Sequence, residues 1–290
     1  MDRVGVIGLG VMGSRIAANL AQAGMLVGVY DRTRSKAQEF SRSHGVQAFD
    51  SPESLTSNVD AVISVLSDDA AVSEVISRVA PVSSGRLIIE MSTISPQVSV
   101  ELASRVKERG GVMFDAPIMG TSVDVEAKRI TVLVGGPREH FSRAEAILRN
   151  TAGRVVYVGP NGMGLYMKLA GNMAFAVFLA GLAEAVSFAT RAGLTSEQVS
   201  DLLLNISGTR SPTSGLKVPK ILSSDFSVQF ALKHMRKDTE IMVREAQRLR
   251  VPLPVTSIVS SLLRMAENMG LGDLDVAALV ELYRRAATSP

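Results

Sequence analysis

The chain has no cysteine and no tryptophan, and only three histidines in 290 residues. A Cys-ligated zinc site, a thiol nucleophile and a disulfide framework are therefore excluded. His44, His140 and His234 have no metal-ligand spacing, so no metal is expected. Aromatics are sparse, with four Tyr and nine Phe, and the formal net charge is only +3. Without stacking platforms or a basic stripe, nucleic acid is not an expected partner. Long hydrophobic runs are also missing. The longest, Met173 to Ala183, lies between Asn172 and Glu184 and falls short of the ~20 residues a membrane span requires. A buried helix is the expectation there, with no membrane partner. No targeting signal is legible around Met1-Asp2-Arg3, so the cytoplasm is the expected compartment.

What is present is apolar mass. Hydrophobic residues make up 46% of the chain, enough to build a core without covalent staples, and the length favours two domains. In the first half short apolar stretches (Val4–Ile7, Leu26–Tyr30, 61–66, 87–91, 112–114, 130–134, 155–158) alternate with helical patterns (14–23, 35–44, Asp69–Val79, 96–109). This is the signature of βαβ units and a mainly parallel sheet. After Gly159-Pro160-Asn161-Gly162 the strand signals stop and helical stretches take over at 164–192, 197–205, 232–250, 254–269 and 275–287. The Gly/Pro/Asn cluster reads as a boundary. The expected architecture is an α/β N-terminal dinucleotide-binding domain over 1–162 and an all-α C-terminal domain over 163–290. The helix after the boundary is apolar on nearly every face, which suits the core of the second domain or of a homodimer or homotetramer.

Gly8-Leu9-Gly10-Val11-Met12-Gly13 is a G-x-G-x-x-G directly after the first strand and at the opening of the first helix, the context that motif requires. Gly8 permits the tight turn, Gly10 lets backbone approach a pyrophosphate, and Gly13 lets helix pack on strand. Helix N–H groups then face the phosphates. At the end of the second strand, Asp31 is the type of residue that takes the ribose 2′-hydroxyl of NAD. Arg32, Thr33 and Lys36 instead suit the 2′-phosphate of NADP. NADP is favoured on those groups, with NAD as the alternative; Asp31 would repel the phosphate dianion unless it turns away or pairs with a neighbouring arginine.

Lys168 and Asn172 are four residues apart in an otherwise apolar helix, hence on one face, one turn apart. A buried lysine with partners can act as proton donor and acceptor for carbonyl/alcohol interconversion. From spacing alone, a snorkelling lysine at a helix start beside a satisfied amide reads equally well. Lys237-Asp238, in the basic stretch with Lys233 and Arg236, reads by itself as a solvated helix face.

Taken together these motifs resemble the β-hydroxyacid dehydrogenase family along essentially the whole chain. To those above are added Asn19-Leu20, Leu66-Ser67-Asp68, the run from Met91 to Pro96, Asp115-Ala116-Pro117, the run from Thr131 to Gly136, and Gly162-Met163-Gly164. The resemblance implies an N-terminal Rossmann domain joined by a long helix to a helical, dimer-building domain. It also implies hydride transfer between a nicotinamide and a small hydroxyacid or aldehyde acid. Lys168 would be the acid/base and Asn172 its partner. Leu66, Ser67 and Thr93 would line the cofactor, Lys237 and Phe230 would reach it from the helical domain, and Ser92 and Asn172 would touch substrate. Met119, Gly120 and Thr121 stand where the family has Ser-Gly-Gly holding the substrate carboxylate, and Asp124 and Lys128 replace further glycines. Met119 offers no donor; Thr121, Ser122 and the loop Thr209-Arg210-Ser211 are the candidate replacements. Two other functions stay open on this departure: an imine or iminium reductase, and a non-catalytic NADP-binding interaction module.

Overall fold

Valine, isoleucine and leucine fill both faces of the central strands, a pattern suited to a sheet covered on both sides. The computed structural model describes residues 2–286. The strands are β1 (Val4–Ile7), β2 (Leu26–Tyr30), β3 (Gln47–Ala48), β4 (Ala61–Ser64), β5 (Leu87–Glu90), β6 (Val112–Asp115), β7 (Ile118–Met119), β8 (Thr131–Gly135) and β9 (Arg154–Gly159). Helices α1 (Val11–Gln22), α2 (Arg34–His44), α3 (Pro52–Ser57), α4 (Asp69–Val79), α5 (Pro96–Glu108), α6 (Ser122–Glu126) and α7 (Phe141–Leu148) lie between them. The remainder is helical: α8 (Met163–Arg191), α9 (Ser196–Asp201), α10 (Pro212–Ser223), α11 (Leu232–Leu249), α12 (Pro254–Ala266) and α13 (Val280–Ala286). The chain divides into two units, Met1–Lys168 and Leu169–Pro290, with the division inside α8.

In the first unit one sheet runs β3-β2-β1-β4-β5-β6-β8-β7, with β9 paired to β8. From β3 to β6 all pairs are parallel; β8 is antiparallel to β6 and β7 and parallel to β9. Alternation along the strands sends Val4, Val6, Ile63, Ile89 and Phe114 to one face, against Ile16 and Leu20 of α1. It sends Ile7, Val62, Ile88 and Met113 to the other, against Leu55, Ile76 and Leu102 of α3, α4 and α5. Each such fully buried side chain contributes about 1.5–3 kcal/mol. The strand order reverses at β1, with β2 on one side and β4 on the other. In open sheets of this kind, ligands bind beyond the carboxyl ends of the strands at such a point.

The second unit is helical around Ala176, Leu179, Ala183 and Val186 of α8, Leu232 and Met235 of α11, and Leu263 of α12. α8 is long and apolar enough to cross a membrane by length and composition; these side chains instead lie in the core, while Met167 and Phe188 are exposed.

Several boundaries differ from those read in the sequence. The strand expected over 61–66 stops at Ser64, because the Leu66 amide donates to Ser92 Oγ (2.7 Å) rather than to a neighbouring strand. The first helix begins at Val11, a turn earlier than expected. The helix expected over 197–205 is α9 followed by a π-helical turn, Leu202–Ile206. That over 254–269 ends at Ala266 and continues as another π turn with Gly270 at φ +83. The last helix starts as a 3₁₀ turn, Val276–Leu279, and its expected end, Ala287, lies outside the described residues.

Candidate active site

The glycine turn follows β1 at the reversal of strand order. Gly8 sits at φ +92, and a Cβ there would lie 2.3 Å from the Val65 carbonyl oxygen. A Cβ on Gly13 would lie 2.0 Å from the Gly8 carbonyl oxygen, whereas one on Gly10 would meet nothing within 4 Å. Two of the glycines are thus demanded by the fold itself. Gly10, the N-cap of α1, leaves open the space from which a phosphate can approach the helix N-terminus. Leu9, Val11 and Met12 complete the turn, and Val11 is 65% exposed. These residues fit a dinucleotide.

Asp31 is turned onto this turn and its own loop. Its Oδ2 accepts the Leu9 amide at 2.7 Å and its Oδ1 the Thr33 amide at 2.8 Å. Arg32, Thr33 and Lys36 are exposed around it.

At the ends of β4, β5 and β6 the apolar face closes in a row of polar side chains. Ser64, Glu90 and Asp115 are register neighbours and all have 0% exposure. The Ser64 hydroxyl donates to Glu90 Oε2, the Ser92 amide donates to Glu90 Oε1 (2.8 Å), and Ser92 Oγ accepts the Leu66 amide. Asp115 accepts the Gly162 amide on Oδ1 (2.6 Å) and the Leu165 amide on Oδ2 (3.1 Å). Burial pushes its carboxyl up to about 6, against the opposing pull of these amides.

Lys168 is 8% exposed, and its Nζ donates to the Ile118 carbonyl, the first residue of β7, at 2.5 Å. It is therefore not a snorkelling side chain. One turn on, in the second unit, Asn172 is 6% exposed and its Nδ2 donates to Asp238 Oδ2 at 2.7 Å. Lys237 Nζ lies 3.6 Å from the other Asp238 oxygen. Phe230 stacks on His234, centroids 6.3 Å apart, and its amide donates to Asp275 Oδ2. The basic stretch is a paired rather than a simply solvated face: Lys233 reaches Asp273, and Arg236 reaches Glu240 and Glu267.

In the altered segment, Thr121 gives both its amide (2.9 Å) and its hydroxyl (2.7 Å) to Asp124 Oδ2. These bonds, with Arg129, hold the Asp124 carboxyl below its usual range. As a replacement donor for a substrate carboxylate, Thr121 is already engaged. Gly120 and Met119 precede it, Gly120 at φ +137. Lys128, where the resemblance expects glycine, holds φ +54, a left-handed conformation that favours glycine. Thr93 lies between β5 and α5, and Ser67 between β4 and α4, its hydroxyl on Asp68. The Thr209-Arg210-Ser211 loop binds itself: Ser207 with Thr209, Arg210 with the Asn205 carbonyl, and Ser211 as the N-cap of α10.

Sequence reasoning passed over Glu90 and Asp115 as individual residues, and it named Asp238 only as part of a charged helix face, not as the acceptor of Asn172. The first two had a legible signal: each is a carboxylate ending an otherwise apolar buried strand, Leu87-Ile88-Ile89-Glu90 and Val112-Met113-Phe114-Asp115, where an unpartnered charge is too costly to persist.

Residues 3–159 match the family described as the NAD binding domain of 6-phosphogluconate dehydrogenase. Residues 162–283 match that described as NAD-binding of NADP-dependent 3-hydroxyisobutyrate dehydrogenase. The chain is 31% identical to mitochondrial 3-hydroxyisobutyrate dehydrogenase of Mus musculus, over 97% of this chain and 87% of that protein. It is 29% identical to glyoxylate/succinic semialdehyde reductase 1 of Arabidopsis thaliana, over 97% and 98%. Among solved structures, Mycobacterium tuberculosis 3-hydroxyisobutyrate dehydrogenase with L-serine superposes with a TM-score of 0.90 at 26% identity, covering 98% of this chain and 99% of that one.

Proposed function

Because the chain belongs to the β-hydroxyacid dehydrogenase family, we propose that it moves hydride between NADP and a small 3-hydroxyacid or aldehyde acid, with Lys168 as general acid/base and Asn172 as its partner. The observation that carries this reading is the Lys168 amine, withdrawn from solvent and held on the Ile118 carbonyl in the unit that bears the glycine turn. Gly8, Gly10, Gly13 and the N-terminus of α1 would hold the pyrophosphate. When bound, the reduced nicotinamide supplies the hydride.

The chain's own part is placement and proton transfer. In the direction of reduction, an N–H of Lys168 donates to the substrate carbonyl oxygen. As negative charge builds there, the ammonium stabilises it and passes the proton, leaving a neutral amine and an alcohol. In oxidation the neutral amine takes the hydroxyl proton back. Ser92, whose Oγ accepts the Leu66 amide, retains a hydroxyl proton to donate to a substrate oxygen. The engagement of Asp31 with two backbone amides, and the exposure of Arg32 and Lys36 beside it, support NADP over NAD.

The exposed Val255, Ile258 and Met265 of α12 and Phe188 of α8 support a homodimer, checked by mass in solution. The reaction is tested by a panel of hydroxyacids and aldehyde acids with NADPH/NADP and NADH/NAD in parallel, alongside Lys168→Ala. Turnover of the variant is expected to fall by roughly two orders of magnitude or more with NADPH binding intact. Turnover within a few-fold of the parent would exclude the lysine's role.

A further inference from the structure

Glu90 and Asp115 stand side by side at the carboxyl edge of the sheet, in register on β5 and β6 and wholly buried. A carboxylate buried to this degree persists only where its oxygens are partnered. A carboxylate adds fixed geometry for whatever its oxygens bind, and the two bind different things. Glu90 accepts the Ser92 amide, and Ser92 in turn accepts the Leu66 amide, so one carboxylate sets the turns after both β4 and β5. Asp115 accepts the amides of Gly162 and Leu165 at the start of α8, one turn before Lys168. Three residues after Asp115, the Ile118 carbonyl accepts Lys168 Nζ. The β6–β7 segment therefore holds the lysine at both its backbone and its amine. The cradle around Asp115 is closed: a Cβ on Gly135 would lie 2.7 Å from both of its oxygens, and one on Gly164 2.8 Å from Oδ2.

We propose that the two buried acids are positioning residues with separate tasks, Asp115 aiming Lys168 through the start of α8, and Glu90 setting the Leu66 and Ser92 turns. The Asp115 task rests on the reading of Lys168 as acid/base. Asp115→Asn keeps the volume but sets an amide NH₂ against a backbone N–H, since both carboxylate oxygens are acceptors here. Expected for D115N is a fall in kcat of about 10- to 100-fold, the range that a small misplacement of a reacting group produces, with the NADPH Kd unchanged within about twofold. Expected for Glu90→Ala is the other pattern: NADPH Kd and substrate KM rise together by about tenfold, with a smaller loss in kcat. Glu90→Gln restores both, because its carbonyl accepts from Ser92 and its NH₂ donates to Ser64.

The assays are NADPH titration by fluorescence and initial rates, with the thermal midpoint of each variant measured alongside. Should D115N not fold, Gly135→Ala, which crowds the same carboxylate without removing it, is expected to give the same kcat-selective loss. Equal shifts of kcat and Kd in all variants, tracking lost thermal stability, would overturn the proposal, as would failure of Glu90→Gln to rescue. Lys168→Ala in the same assays separates the two levels. If it is inactive while D115N keeps full kcat, the positioning claim alone fails; if it is active, the acid/base reading fails with it.

Discussion

Gly10→Ala separates binding from folding. Gly10 has φ −69 and ψ −171, extended backbone that any residue adopts, and a Cβ there meets nothing within 4 Å. The weaker N-cap propensity of alanine and the lower chain entropy of its unfolded state nearly cancel, so folding stability is expected to stay within about 0.5 kcal/mol. The same methyl projects into the space a pyrophosphate must enter to reach the N–H groups of α1. Loss of one charge-assisted hydrogen bond, about 1.5–3 kcal/mol, weakens binding about 10- to 150-fold. The contrast is Gly13→Ala, whose Cβ would stand 2.0 Å from the Gly8 carbonyl oxygen. That overlap with rigid backbone is expected to cost about 1–3 kcal/mol of stability. NADPH Kd by fluorescence titration and thermal midpoints with and without NADPH read both effects. At a concentration of about 100 Kd the parent gains about 2.7 kcal/mol, roughly 5–10 °C for a unit of this size, and G10A about half of that or less. Parent-like NADPH affinity in G10A would refute the assignment of the glycine turn to the pyrophosphate.

Four further outcomes follow from the geometry. Lys128→Gly relieves a left-handed non-glycine residue and is expected to raise stability by about 1 kcal/mol, read as an increase in thermal midpoint. Lys217→Met leaves Asp275 buried without its cation, the two side chains being 2% and 0% exposed and 2.7 Å apart, and is expected to cost about 3–5 kcal/mol in denaturant unfolding. Asp115 has a folded-state pKa raised from 3.8 to about 6, so the native state holds this proton more tightly than the unfolded chain. Its contribution is fully present below the unfolded value and is lost as pH rises through about 6. The stability of the parent relative to D115N is therefore expected to grow, on the order of 3 kcal/mol, as pH falls from about 7 to about 4, and a flat difference would contradict it. Arg32→Ser is expected to weaken NADPH by about tenfold or more while leaving NADH unchanged; equal loss for both would argue against a 2′-phosphate contact.

The parallel sheet and its glycine turn were legible because burial on both faces leaves apolar runs of strand length, and a G-x-G-x-x-G is informative when a strand ends at its first glycine. β1, β2 and α4 fall where the pattern placed them. Short elements were harder. α3 and α10 were passed over, although each announces itself with Ser-Pro, the serine capping the third following amide (Ser51 to Ser54, Ser211 to Ser214). Gly215 and Pro219 inside α10 mask its periodicity. β7 is two residues long and exists only through pairing to β8, a tertiary fact that a local pattern does not carry. At the site, Lys168 and Asn172 were found because polar residues in an apolar helix stand out. Spacing alone, however, could not say that the lysine's partner is the Ile118 carbonyl, from a strand far earlier in the chain. The roles of Glu90 and Asp115 stayed hidden for a related reason: Asp115 is held by backbone amides, and Glu90 by one amide and by Ser64 of a neighbouring strand, partners that a local pattern does not reveal.

The most direct test is single-turnover reduction by enzyme already saturated with NADPH, comparing the parent with Lys168→Ala in the absence and presence of small primary amines. The expected result is a rate of nicotinamide oxidation that collapses in the variant, recovers in part as an exogenous amine is added, and tracks that amine's basicity. A variant that oxidises its bound NADPH as fast as the parent, indifferent to added amine, would contradict proton transfer by Lys168.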